Sequence, residues 1–335
     1  MKILYAIQGT GNGHLSRARD IIPELRKRKI ALDILVSGTQ ADVKIPYPIK
    51  YQLKGLSFIF GKKGGVDMWR TYLKTNAAQL QKEIRNLPIT DYDLIINDFE
   101  PVSAWACKLR DKPCVGFSHQ AAVIAPNTPK PLKNDLLGKM ILKKYAPTSH
   151  AYGLHFKAYG DHIFTPIIRK EIRNSTRTLG DYYTVYLPSY SDEKILKMLS
   201  KLKGVKWEVF SKHTLTGFLF KNITVRKINN EAFIRSMANC RGILCGAGFE
   251  TPAEALYLGK KLLAIPMKGQ YEQQCNAMAL NEIGVPTMKS LKMKHLEVLG
   301  NWVETDHKTN IHYPDITANI VNQILQEASV GQMHY

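Results

Sequence analysis

The sequence predicts an α/β protein of two domains, each built on a parallel sheet covered by helices. Three observations carry that expectation. A chain of 335 residues is longer than one core usually takes and suits two domains of roughly 150 residues. Lys2–Ile7 is an unbroken apolar run, as in a strand covered on both faces, and a glycine-rich loop, a helical pattern and a second strand at Ala31–Val36 follow it. The same order of strand, glycine turn, helix and strand returns at 242–265.

Composition narrows the classes. The chain is 44% hydrophobic and 22% charged, which suits a folded protein and excludes wholesale disorder. Its 47 Lys+Arg against 28 Asp+Glu leave a formal charge of +19, so a negative partner is expected. Nucleic acid, anionic lipid headgroups and phosphorylated substrates all fit that charge; no aromatic-basic nucleic-acid reader motif is present, so nucleic acid is not expected. The five cysteines are odd in number, widely spaced and without a C-x-x-C, which suits reduced thiols. Only Ile3–Ile7 is apolar before Gln8-Gly9, a strand rather than a secretory signal, and no run approaches the ~18 apolar residues of a bilayer span. A cytoplasmic location is the expectation.

Taken in order, the loop Gln8-Gly9-Thr10-Gly11-Asn12-Gly13-His14 opens a helix with Ile21, Ile22 and Leu25 on one side and Arg26-Lys27-Arg28-Lys29 at its end. A helix is expected over 71–86. Residues 91–97 lead a strand into Asp98-Phe99-Glu100-Pro101, then come a helix over 102–109 and a strand at 113–117 ending in Ser118-His119-Gln120. Residues just past the carboxyl ends of parallel strands line the ligand crevice, which marks Asp98 and His119. Asp91-Tyr92-Asp93 precedes its strand and suits a turn. The proline-rich stretch 125–132 is a loop, and 164–178, which loses periodicity, is the expected interdomain connection. The second unit begins with a strand at 182–187, the turn Pro188-Ser189-Tyr190-Ser191 and a helix over 192–203. Short strands at 207–210, 218–220 and 223–226 follow, and Ile228–Asn230 leads into an amphipathic helix at 231–239.

The stretch 242–277 is the richest in chemistry. Gly246 and Gly248 let the backbone approach a ligand closely. Thr251-Pro252-Ala253-Glu254 has the form of a capping box, with threonine at the N-cap, proline at the first helical position and glutamate three residues on. The N–H groups of the first turn carry partial positive charge, so the place suits a phosphate. On these residues alone, a helix cap and a plain turn remain an open reading. After Pro266, Gly269–Ala277 (GQYEQQCNA) is denser in amide and acid groups than a connecting loop requires, and such side chains suit sugar hydroxyls.

This constellation resembles the donor-binding region of GT-B glycosyltransferases, particularly families 28 and 1. Thr251, Glu254, Ala255, Pro266, Glu272, Gln273, Asn276 and Ala277 occupy the places of their pattern. The loop ending in His14 is similar to the glycine-rich turn of the same families that closes on a histidine facing the acceptor. The resemblance covers essentially the whole length and implies two Rossmann-like domains facing across a cleft: an acceptor domain over 1–165, a nucleotide-sugar donor domain over 180–312, and a helix in 313–335 that returns to the first domain. It implies metal-independent transfer, with inversion and no cofactor, of a sugar from a nucleotide sugar, UDP being the commonest base carrier. By resemblance His14 would take the acceptor proton and Asp98 would hold the imidazole. Backbone at Gly246, Gly248 and Phe249, with the helix start at Thr251, would take the diphosphate. Glu254 would accept from both ribose hydroxyls, Glu272, Gln273 and Gln274 would fix the sugar, Asn276 would belong to the donor-binding set, and Ile228 leads into the helix from which family members contact the base. Gly11, Gly13 and His119 fall on the acceptor side. Two departures stand out: Ser118-His119-Gln120 lacks the middle acid of the similar family 28 loop, and Ser189 lacks the glycines that accompany its serine there.

Other readings remain on the sequence. The glycine spacing is G-x-G-x-G-H, and the second strand ends in Val36-Ser37-Gly38 without a ribose-binding acid, both of which count against a dinucleotide site. An epimerase or hydrolase on the same scaffold would need acids around the sugar, and a non-catalytic nucleotide-sugar-binding partner would need no base. The acceptor is open between a glycan and a lipid-linked molecule. The charge, with the apolar and basic stretch 55–69, suits a peripheral protein acting on a lipid-linked acceptor at the inner membrane face; a packed hairpin is the other reading of that stretch.

Overall fold

The computed structural model describes residues 1–38, 45–56, 77–132, 135–306 and 308–329. The first sheet is parallel, in the order β3-β2-β1-β4-β5-β6-β7. Its strands are β1 (Lys2–Gln8), β2 (Ala31–Ser37), β3 (Tyr51–Leu53), β4 (Leu94–Asp98), β5 (Val115–Ser118), β6 (His150–Leu154) and β7 (Ile163–Phe164). Around it stand α1 (Asn12–Arg26), α2 (Ala77–Asn86), α3 (Pro101–Leu109), α4 (His119–Ile124), α5 (Leu136–Tyr145) and α6 (Lys170–Arg173). The apolar run of β1 lies at the centre, with Ile3 to Ile7 wholly buried, which is why it carries no polar alternation.

The second sheet runs β10-β11-β9-β8-β12-β13 and is parallel except for the β10–β11 hairpin. Its strands are β8 (Tyr182–Tyr186), β9 (Lys206–Ser211), β10 (Phe218–Phe220), β11 (Ile223–Lys227), β12 (Gly242–Gly246) and β13 (Lys261–Ile265). The helices are α7 (Asp192–Leu199), α8 (Asn230–Asn239), α9 (Glu250–Tyr257), α10 (Tyr271–Glu282), α11 (Leu296–Glu304) and α12 (Thr317–Ser329). The last helix lies against α1, where Arg28 donates from Nε to Asn322 Oδ1 at 2.7 Å and from Nη2 to the Ala318 carbonyl at 2.9 Å. All five cysteines are free and buried.

The capping box is a correction. α9 begins at Glu250 with Phe249 at its N-cap and no side-chain cap, so Thr251 and Pro252 stand inside the first turn. Proline is tolerated there because first-turn N–H groups have no intrahelical partner. Glu254 does not reach back to the helix start because an arginine from another segment holds it, as described below. Residues 57–69 and 71–76 lie outside the described residues, so the apolar and basic stretch and the first part of the helix expected over 71–86 are not placed. α5 had no counterpart in the sequence reading: LLGKMILKKY carries a glycine and no clean apolar stripe.

Candidate active site

A cavity of about 310 Å³ opens where the carboxyl ends of β1, β4 and β5 look onto the starts of α9 and α10. The first domain lines it with Thr10, Gly11, Gly13, His14, Arg17 and Gln120, among others. The second domain contributes Phe249, Glu250, Gln270, Tyr271 and Glu272, and α5 closes one wall with Leu137, Gly138, Ile141 and Leu142.

His14 and Asp98, 84 positions apart, meet here. His14 Nδ1 lies 2.8 Å from Asp98 Oδ1, and since a carboxylate only accepts, Nδ1–H donates, which in the neutral tautomer puts the lone pair on Nε2. Asp98 ends β4 and is wholly buried. Burial by itself pushes its carboxyl up; the Arg17 charge and the hydrogen bonds from His14 and Arg17 outweigh that and hold it below the usual carboxylate range. Phe99, the next residue, has φ +57, a left-handed conformation that non-glycine residues rarely adopt, and it turns the chain so that Glu100 caps α3 by accepting from Val102 and Ser103 N–H.

Arg17 sits one turn beyond His14 on α1 and reaches the same carboxylate, donating from Nη2 to Asp98 Oδ1 at 2.7 Å and Oδ2 at 2.8 Å. Its Nη1 donates to Glu250 of the second domain. Burial pulls the guanidinium down, but Asp98 and Glu250 more than reverse it, so Arg17 stays charged. Glu250 is pushed up to about 7, first by burial and then by Glu254 and Asp98, against the pull of Arg17. At Gly13 the two domains pack tightly: a Cβ there would stand 2.9 Å from Glu250 Cγ. A Cβ at Gly248 would meet nothing within 4 Å, so the turn before α9 has open space above it.

The remaining expected residues divide. Glu272 lines the cavity and accepts from Gln120 Nε2 at 3.1 Å. His119 also lines it, stacked on Phe249 with centroids 4.0 Å apart. Its Nδ1–H donates to the Leu154 carbonyl at 2.7 Å, its Nε2 is 2.8 Å from Asn276 Oδ1, and burial lowers its pKa. Asn276 is wholly buried and donates to the Ala247 carbonyl, so it braces the turn behind the cavity. Gln273 accepts from Met267 N–H and Gln274 is half-buried, neither lining the cavity. Ser189 follows β8 and Ile228 follows β11, both half-buried and outside the cavity lining. Gly246, Gly248 and Thr251 are likewise outside the cavity lining, close in the chain to Phe249 and Glu250, which belong to it.

Glu254 is 2% exposed, and both its oxygens are taken by Arg169, with Nε at 2.5 Å and Nη2 at 2.8 Å. Arg17, Glu250 and Arg169 were not found by sequence reasoning. Arg17 had a signal, since it stands three residues from His14 on a helix; the other two depend on contacts between distant segments.

Residues 1–305 match the family model described as Glycosyl transferase family 1. No curated protein sequence matches the chain. Among solved structures, MurG of Acinetobacter baumannii is similar at 14% identity and TM-score 0.58, over 97% of this chain and 99% of that one. The spinosyn rhamnosyltransferase SpnG with thymidine diphosphate is similar at 12% identity and TM-score 0.55, over 98% and 96%. UGT89C1 of Arabidopsis thaliana with UDP follows at 12% identity and TM-score 0.56, over 99% and 97%. Likeness at such identity speaks to fold, and the fold it shows is GT-B. With the family model matching most of its length, the chain belongs to glycosyl transferase family 1.

Proposed function

We propose that this glycosyltransferase moves a sugar from a nucleoside-diphosphate sugar to an acceptor hydroxyl with inversion and without a metal ion, UDP-sugars being the first donors to try. The observation that carries the reading is the His14–Asp98 pair at 2.8 Å, in a cavity whose opposite wall is the uncapped start of α9. His14 Nε2 takes the acceptor proton, the acceptor oxygen forms the new bond at the anomeric carbon, and the bond to the diphosphate breaks with its electron pair leaving on the phosphate oxygen. Backbone at 246–249 and the first turn of α9 meet the charge of that leaving group. Residues 1–165 serve the acceptor and 180–312 the donor.

The wall formed by α5 supports an acceptor with an apolar tail. Leu136, Leu137 and Met140 are exposed on this helix beside Lys139, Lys143 and Lys144, a combination suited to an anionic bilayer. We therefore read the acceptor as lipid-linked and the protein as peripheral on the cytoplasmic membrane face. Among the described residues no helix is long and apolar enough to cross a membrane.

The test is thermal stability with a panel of nucleoside diphosphates and their sugars. A ligand that binds only the folded chain raises its melting point. One base should stabilise the unaltered chain and lose that effect in Glu254→Ala; no response to any nucleotide would remove the proposal.

A further inference from the structure

A buried carboxylate with no other counter-charge draws a proton onto the imidazole it touches. Asp98 is wholly buried, yet its two oxygens also receive the Arg17 fork at 2.7 and 2.8 Å, and the same Nη2 stands 3.2 Å from His14 Nδ1. Arg17 is 2% exposed and its Nε has no partner among the described residues, so its charge is committed to Asp98 on one side and Glu250 on the other. Glu250 arrives from the second domain, through the gap left by the missing side chain of Gly13. The groups around this cluster are Tyr5 from β1, Asp98 from β4, His14 and Arg17 from α1, His119 from α4, Arg169 from the segment joining the sheets, and Glu250 and Glu254 from α9.

We infer that Arg17 is a positioning residue that keeps His14 free of a proton between turnovers, and that Glu250 tunes this effect from the opposite domain by sharing the same guanidinium. The inference rests on His14 being the base. Arg17 offsets the Asp98 charge that would otherwise hold a second proton on the ring. Whatever share Glu250 takes reduces that offset. A guanidinium facing two carboxylates from two domains thus links the readiness of the base to the approach of the domains. Burial and neighbouring acids push Glu250 up to about 7, so its share varies near neutral pH. No co-reactant is needed, since the proton taken from the acceptor resides on Nε2 and is later lost to solvent.

The experiment follows the histidine ring resonances of the full chain, labelled with nitrogen-15 histidine, from about pH 5 to about pH 9. His14 is assigned by its loss in His14→Ala. The pH at which its ring titrates should rise by about one to two units in Arg17→Ala and fall by up to about one unit in Glu250→Gln, while Arg17→Lys, which keeps the charge, stays near the unaltered chain. Unmoved titration in Arg17→Ala and Glu250→Gln overturns the inference. Should Arg17→Ala fail to fold, Glu250→Gln decides alone, because it leaves the Arg17–Asp98 pair in place: a downward move supports the inference, and no move or an upward one sinks it. No substrate is required, so the result is independent of whether sugar transfer is confirmed. Full turnover by His14→Ala, in contrast, would remove the base assignment whatever the titration shows.

Discussion

Arg169 closes Nε and Nη2 on the two oxygens of Glu254, and its Nη1 donates to Asn230 Oδ1 at 2.9 Å. The arginine comes from the segment joining the two sheets, and the carboxylate it holds is the one expected on the ribose. Ribose can reach Glu254 only after Arg169 gives way or shares it. Removing one partner of a buried pair leaves an uncompensated charge, so Arg169→Ala should lose about 3–5 kcal/mol in urea unfolding, and adding Glu254→Gln should restore much of it. If Glu254 serves ribose, the stabilisation given by UDP should be larger in Arg169→Ala than in the unaltered chain. Equal stabilisation in the two would make the pair purely structural.

The His14–Asp98 contact sets a kinetic expectation. His14→Ala should lower turnover about 10²–10⁴-fold, the usual worth of a positioned base, and leave the melting shift with nucleotide intact. Asp98→Asn should also lower turnover, because an amide can present its N–H to Nδ1 and favour the wrong tautomer. Stopped-assay turnover beside nucleotide melting shifts checks both. Loss of nucleotide binding together with turnover would point to a collapsed site.

The alternation of strand and helix was legible because parallel strands buried on both faces write themselves as apolar runs: Ile3–Ile7 and Lys261–Ile265 stand where the periodicity put them. Asp98 was legible for a related reason, since it ends such a strand, whereas His14 was legible through the resemblance of the glycine-rich loop that follows β1. Arg17 shares a helix face with His14, but arginine three residues along is ordinary helix surface unless the fold buries it. Glu250 and Arg169 owe their positions to contacts between segments 233 and 85 residues apart, which no local pattern encodes. The threonine-proline-glutamate spacing misled because a capping box needs Glu254 free to turn back, and Arg169 binds it first.

His155 gives a pH signature. It is wholly buried, accepts from Phe156 N–H at Nδ1, and its Nε2 has no partner among the described residues. Burial, with His119 and Lys130 adding, pushes it down to about 2. Unfolded, it takes a proton near pH 6.5, so the unfolded chain binds more protons below that and stability falls as pH drops, by about 1.4 kcal/mol per unit from this group. His119, also lowered, acts in the same direction. Asp20, raised to about 6, and Glu250, raised to about 7, act oppositely: their contribution is lost as pH rises. Those terms are common to the unaltered chain and His155→Gln, so the difference between their urea midpoints isolates His155. Between about pH 6.5 and 5 the variant should lose less stability than the unaltered chain; parallel curves would mean that His155 takes its proton in the folded state.

The apolar side of α5 makes the last prediction. Leu136 is 69% exposed and Met140 47%, with Leu132 fully exposed just before the helix, while Leu137, Ile141 and Leu142 of the same helix line the cavity. Burying a leucine-sized side chain in an apolar phase is worth roughly 1.5–3 kcal/mol, and each lysine near an anionic surface adds about 1 kcal/mol that salt screens. The protein should therefore sediment with phosphatidylglycerol-containing vesicles and less with neutral ones, and rising salt should weaken the difference. Leu132→Ser with Leu136→Ser and Met140→Ser removes exposed apolar surface that lies outside the cavity lining, so the fold should hold while vesicle partition falls at least about tenfold. Unchanged partition in that variant would detach α5 from the membrane, and indifference of the unaltered chain to anionic vesicles would leave a water-soluble acceptor to be sought in its place.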